Sequence, residues 1–294
     1  MAPSARAQAG GMLLAKGPVA GRHGGGRARG SGLLVAVAIM LVLTAACACS
    51  AVSARPPGLT SPGRAGSGLT GRPVALVYRG PASCAGCAEA VAALIRRSPR
   101  HFSVSYVGPG EKLKVTVASL RGAALYAQPG GGDSVRQGMT ALGPAAAAAI
   151  RSYVAAGGHY LGMCMGAYLA GENPGIGLLA PGDTGEYDHS RGASVTTAAQ
   201  AVIPVIWGGT VSYQYAQDPP YIIPSGVRGE KVLARFTNHQ VDALVRPYHR
   251  GAVGVVGTHP EADRTWFTPA MWRAARDGFS YPEGLQLIAA LMRL

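Results

Sequence analysis

Gly162-Met163-Cys164-Met165-Gly166 decides the reading of this 294-residue chain. The pentapeptide follows a short apolar run, His159 to Gly162, and opens a stretch of small residues, so a strand runs into a helix with a cysteine at the corner. Such a turn is a nucleophile elbow: the cysteine sits in a strained backbone conformation, and flanking glycines keep side chains away from neighbouring elements. The thiol then projects alone into solvent. At a helix start the free N–H groups favour thiolate over thiol, and Met165 N–H is placed to stabilise an oxyanion. A buried structural cysteine at a small-residue helix start has the same local pattern.

Ninety-five residues after Cys164 stands His259, within Gly257-Thr258-His259-Pro260-Glu261, which follows the strand-like Ala252 to Val256. Pro260 biases His259 away from the helical region, so His259 and Glu261 are expected at i and i+2 of an extended segment with side chains on one side. A thiolate needs a base, and the base needs a third group to fix its tautomer. Cys164, His259 and Glu261 fill those three places. The alternative is that His259 and Glu261 are exposed loop residues.

With both motifs in hand, the chain resembles the class I glutamine-amidotransferase-like superfamily, whose members pair a G-x-C-x-G elbow with a later H-P-E. The strand-like Ala124 to Gln128 runs into Pro129-Gly130-Gly131-Gly132-Asp133. That turn resembles the superfamily's oxyanion strand, which implies an N–H donor at Gly131, or alternatively Gly130. Tyr78-Arg79-Gly80-Pro81, the PGGGD turn, Ala155 to Gly162 and Cys164-Met165-Gly166-Ala167-Tyr168 are most similar to the biotin-protein ligase N-terminal domain family. The resemblance implies an α/β fold: a mostly parallel central sheet with helices on both faces, flavodoxin-like, plus a short antiparallel β extension.

One departure bears on substrate. Glutamine-using members continue the elbow with His-Gln, whereas Ala167 and Tyr168 follow Gly166 here. Tyr168 is therefore a candidate for the substrate pocket, and free glutamine is not the expected substrate. Neither a synthetase domain to accept ammonia nor a biotin ligase catalytic domain is expected in this chain.

The first 50 residues carry Arg6, Lys16, Arg22, Arg27 and Arg29 without an acid, then the apolar run Leu33 to Ala48. This reads as a signal peptide or lipoprotein signal over residues 1–48, with Cys47 of Leu43-Thr44-Ala45-Ala46-Cys47 as the acylated residue. An uncleaved anchor is the alternative, although the run falls short of the ~20 residues a spanning helix wants. The five positive charges in this segment take the formal net charge from +13 to +8 on removal. The remaining basic residues are scattered without interleaved aromatics, so no nucleic-acid partner is expected. The location expected is extracytoplasmic, secreted or membrane-anchored through signal or lipid.

Residues 49–73 are rich in Pro, Gly, Ser and Arg and read as a flexible tether. Residues 74–294 suffice for one sizeable α/β domain with a single core. Strand Val74 to Tyr78, helix Ala85 to Arg97, strand Phe102 to Val107, a short helix near Leu113 to Leu120 and strand Ala123 to Gln128 alternate as a parallel sheet requires. Helix Ala145 to Ala156, strand Tyr160 to Gly162 and helix Met165 to Ala170 follow. Val202 to Trp207, Val211 to Tyr215, Val232 to Phe236, Ala243 to Pro247 and Ala252 to Gly257 are short β-like runs split by turn residues. An amphipathic helix, Gly284 to Leu294, closes the sequence.

Cys84-Ala85-Gly86-Cys87 also sits between a strand and a helix and resembles the metal-binding motif of small copper-chaperone domains. No further Cys or His pair is nearby to complete a four-ligand site. In an exported protein such a pair is often oxidised. The readings are a disulfide or idle thiols on one side, a redox or metal role on the other, at the mouth of the pocket in either case.

Two function classes follow. One is a Cys-His-Glu hydrolase or transferase acting on an amide or related acyl bond of a small-molecule or peptide-like substrate, without metal or cofactor. The other is a surface-tethered binding protein that keeps the scaffold and recognises a ligand without turnover.

Overall fold

The computed structural model describes residues 71–294 apart from 133, 172–174 and 277. The signal segment, Cys47 and nearly all of the tether lie outside these residues. Among the described residues no helix is long and apolar enough to cross a membrane.

The first half alternates as its sequence predicts: β1 (Val74–Tyr78), α1 (Cys87–Arg96), β2 (Ser103–Val107), α2 (Val117–Leu120), β3 (Ala123–Gln128), α3 (Val135–Leu142), α4 (Pro144–Ala155), β4 (His159–Met163) and α5 (Met165–Ala170). The second half is β5 (Thr184–Glu186), β6 (Ala201–Trp207), β7 (Thr210–Ala216), β8 (Pro220–Ile222), β9 (Lys231–Phe236), β10 (Val241–Tyr248) and β11 (Gly251–Val256), then α6 (Pro269–Ala274) and α7 (Tyr281–Leu291). The strands form a sheet in the order β2-β1-β3-β4-β11-β10-β9-β6-β7, with β5 and β8 branching from β10. From β2 to β11 neighbours run parallel, and from β11 to β7 they run antiparallel. The α/β architecture and the antiparallel extension are therefore as the sequence implies.

Side-chain alternation along the parallel strands builds two cores. Leu76, Tyr78, Tyr126 and Tyr160 point to one face, under Leu120, Leu142, Ile150, Val154 and Leu169 of α2 to α5. Their chain neighbours Ala75, Val77, Leu125, Leu161 and Met163 point to the other, under Val91, Leu94 and Ile95 of α1 and Leu287, Ile288 and Leu291 of α7. Burying one such large side chain contributes about 1.5–3 kcal/mol, so both layers hold the sheet.

Three differences from the sequence reading have local causes. Helix α3 has no counterpart in the sequence pattern, which Gly138 interrupts. That glycine lies against Leu169, where a Cβ would sit 3.3 Å from Leu169 Cδ2, and Ser134 caps the helix by accepting from Gln137 N–H. The helix expected near Leu113 shrinks to Val117–Leu120, since Leu113 pairs with Val107 in a β-bridge and Thr116 then caps. Strands β5 and β8 and helix α6 lie in Gly- and Pro-rich sequence that carries no periodic signal.

Candidate active site

Strand β4 lies between β3 and β11 in the sheet, so three consecutive strand ends converge where a parallel sheet places ligands. Cys164 follows β4 directly. Its N–H donates to Val256 O at 2.9 Å, and its backbone takes φ 48° and ψ −107°, a conformation that costs a non-glycine residue energy. The glycines of the elbow are there for close approach: a Cβ on Gly166 would lie 2.1 Å from Gln128 O, and one on Gly162 2.5 Å from Gly166 O. The elbow therefore has the expected shape.

The thiol does not project into open solvent. Cys164 is only 8 % exposed, and its Sγ faces Gln217 O at 3.6 Å at the floor of a cavity of about 850 Å³. The cover comes from the antiparallel half: β7 returns to the end of β11, so that His259 N–H donates to Tyr215 O at 2.9 Å.

His259 and Glu261 are in contact, but on a turn rather than an extended segment. Ala262 N–H closes the turn on His259 O at 3.1 Å, with Pro260 in the position its fixed φ suits. His259 Nδ1 meets Glu261 Oε1 at 2.9 Å, and a Cβ on Gly130 would touch both His259 Cε1 and Cys164 Cβ, so the imidazole and Cys164 share one side of the cavity. Neither residue is an exposed loop side chain: His259 is 4 % exposed and Glu261 1 %. Burial pulls the imidazolium down. The charges of Glu261 and of the Cys164 sulfur outweigh it and hold His259 at about 10.

The sequence reading missed what holds this turn. Asp242 is fully buried in β10; its Oδ1 accepts from Thr258 N–H at 2.9 Å, and its backbone O from Gly257 N–H at 2.8 Å. The Thr258 hydroxyl lies between Asp242 Oδ2 at 2.9 Å and Gln214 Oε1 at 2.8 Å. Burial pushes the Asp242 carboxyl up to about 6 against the Thr258 and Gly257 donors. The signal was legible: Asp242 is the one polar residue in the apolar run Val241 to Val245. Tyr215 and Trp266 box the imidazole edge-on, with centroids 5.6 and 5.2 Å away.

On the opposite side lies the turn after β3. A Cβ on Gly130 would meet His259 Cε1 at 2.6 Å and Cys164 Cβ at 3.2 Å, and one on Gly131, at φ 109°, would meet Cys84 N at 2.2 Å. Gly130 thus packs on Cys164 and His259, and Gly131 on the β1–α1 loop. Cys84 and Cys87 form a disulfide there, and Cys84 N–H donates to Gly130 O at 3.0 Å. Both cysteines line the cavity mouth with Gly131, Met165 and Tyr168. Among the described residues no group of His, Cys, Asp and Glu forms a metal cluster.

Residues 74–174 match the family model of the biotin-protein ligase N-terminal domain. No curated protein is similar enough in sequence to match. Of solved structures, a glutamine amidotransferase from Thermotoga maritima is 15 % identical with a TM-score of 0.52, covering 76 % of this chain and 100 % of that one. Another glutamine amidotransferase is 16 % identical with a TM-score of 0.44, covering 64 % and 90 %. The described domain thus has the class I glutamine-amidotransferase-like fold, and its first half matches the biotin-protein ligase N-terminal family.

Proposed function

We propose that this protein is an exported or membrane-tethered hydrolase or transferase in which Cys164 attacks an amide or related acyl carbon. The observation that carries the proposal is the strained Cys164 elbow sharing one cavity with a buried His259 that is itself held by Glu261. An imidazole held by a carboxylate beside a cysteine is the arrangement that supplies a base to a sulfur nucleophile. The thiolate adds to the carbonyl carbon, and the oxygen gains the negative charge. Met165 N–H and the N–H of Gly131, whose peptide unit begins at Gly130, stabilise that oxygen. His259 passes its proton to the departing amine, the C–N bond breaks, and an acyl-Cys164 thioester remains. Water, losing a proton to His259, then cleaves the thioester to acid and thiolate.

Incubation with a panel of γ-glutamyl and cell-wall amides, followed by peptide mass spectrometry, tests this. A covalent acyl mass on Cys164, absent after Cys164→Ala with the fold retained, is the expected result. Undiminished turnover in Cys164→Ala would sink the proposal.

A further inference from the structure

The wall of the cavity has an uneven charge. Apart from the His259 imidazolium, which Glu261 holds, the charged side chain among its described lining residues is Asp218, with no Lys or Arg, in a protein of formal net charge +13. Arg264, beside the lining residues Thr265 to Thr268 in the chain, is engaged elsewhere: it donates to Phe267 O at 2.8 Å and its guanidinium lies 5.0 Å from the centre of the Trp272 ring. Asp218 follows Gln217, whose carbonyl faces the Cys164 sulfur, so the carboxylate is one residue from the nucleophile's own contact.

Two further observations point to a ligand. Tyr168, more than nine-tenths buried and lining the cavity, has a hydroxyl with no hydrogen-bond partner among the described residues, and the neighbouring Asp188 Oδ1 is likewise buried and without one among them. The other large surfaces of the wall are the rings of Tyr215, Trp266 and Phe267, packed edge-on at 5.2 to 5.6 Å around Tyr215. A carboxylate, an unpaired hydroxyl and a set of aromatic faces are the groups that receive an ammonium.

We propose that this cavity selects substrates carrying a protonated amine close to the scissile carbonyl, with Asp218 as counter-ion, Tyr168 as a hydrogen-bond acceptor and Tyr215 and Trp266 as the aromatic wall. The bond cleaved rests on the acyl-transfer reading above; the preference for cations does not. Burial, then Asp188 and Glu186, push the Asp218 carboxyl upward while His189 opposes them, so a bound cation adds counter-charge to an acidic group of residues.

Charge preference is measured without knowing the substrate. The full-length protein is treated with 2-ammonioethyl and 2-sulfonatoethyl methanethiosulfonate, and mixed-disulfide formation at Cys164 is followed by peptide mass spectrometry, normalised to a free small thiol. The ammonium reagent should win by at least about tenfold, the low end for a charge-assisted contact. Asp218→Asn should remove that advantage. Asn tolerates the left-handed backbone that Asp218 adopts at φ 46°, so the substitution keeps the fold. A sulfonate preference, or a ratio unchanged in Asp218→Asn, overturns the proposal. Failure of the catalytic reading shows differently, as normal charge selection at a Cys164 that forms no acyl-enzyme.

Discussion

The two halves of the sheet contribute to the site by opposite means. In the parallel half Cys164 is placed by backbone alone: Gly162 and Gly166 admit the elbow, and Cys164 N–H is fixed on Val256 O. In the antiparallel half His259 is placed by side chains. His259 stands on a turn held by Asp242, Thr258 and Gln214, and Tyr215 and Trp266 pack its ring. A site positioned by backbone tolerates changes in the side chains around it, whereas one positioned by buried polar side chains is lost one hydrogen bond at a time.

That contrast is broken most directly on the base side. Glu261→Gln leaves the shape and removes the charge that holds the imidazole, and in triads the loss of the orienting carboxylate costs up to about 10⁴-fold in kcat. Thr258→Val, further out, should lower kcat about five- to a hundredfold, the effect of one buried hydrogen bond, with KM little changed. Steady-state kinetics on any amide that acylates Cys164 reads both. Equal, negligible effects would show that the antiparallel half merely covers the site.

How much of this was legible in the sequence follows the same division. The elbow announces itself because its geometry is local: two glycines, a cysteine and a strand-to-helix change within five residues. His259 and Glu261 were recognisable as a pair, yet their turn was not, since Pro260 fits an extended segment and a turn about equally well. The return of β7 over Cys164 was illegible. Nothing in Thr210–Ala216 encodes which strand end it will approach, and so the thiol was expected in open solvent and is instead enclosed. Asp242 was visible as an acid in an apolar strand, but its partner Thr258 is assigned only once β10 and β11 are paired.

A second test separates the halves by pH. The folded value of about 10 for His259 stands above the ~6.5 of an unfolded histidine, so between these values the folded state keeps a proton that the unfolded state has lost. The stability this contributes is fully present below pH ~6.5 and is lost as pH rises towards 10. Calorimetric Tm of the native protein should therefore fall over that window, and His259→Gln should flatten the slope. In the catalysed reaction, kcat/KM should decline as pH passes about 10, where His259 gives up the proton owed to the leaving amine. An identical Tm slope in His259→Gln would place the titration elsewhere and break the account of the base.

The smallest effect belongs to the covalent brace of the parallel half. Cys84–Cys87 closes a loop so short that the chain-entropy estimate is about 2 kcal/mol, the low end for disulfides. Reduction, or the Cys84→Ala and Cys87→Ala pair, should thus lower stability only slightly. Its consequence for turnover depends on contact rather than entropy, because Cys84 N–H holds Gly130 O, and Gly130 packs against both Cys164 and His259. If that hydrogen bond fixes the oxyanion turn, loosening the loop should lower kcat several-fold, leave KM nearly unchanged and reverse on reoxidation. If the backbone of β3 and β4 holds the turn unaided, kcat stays constant while Tm alone drops. The backbone half would then be shown to place its site without any side-chain support, which is the sharper form of the contrast with the His259 turn.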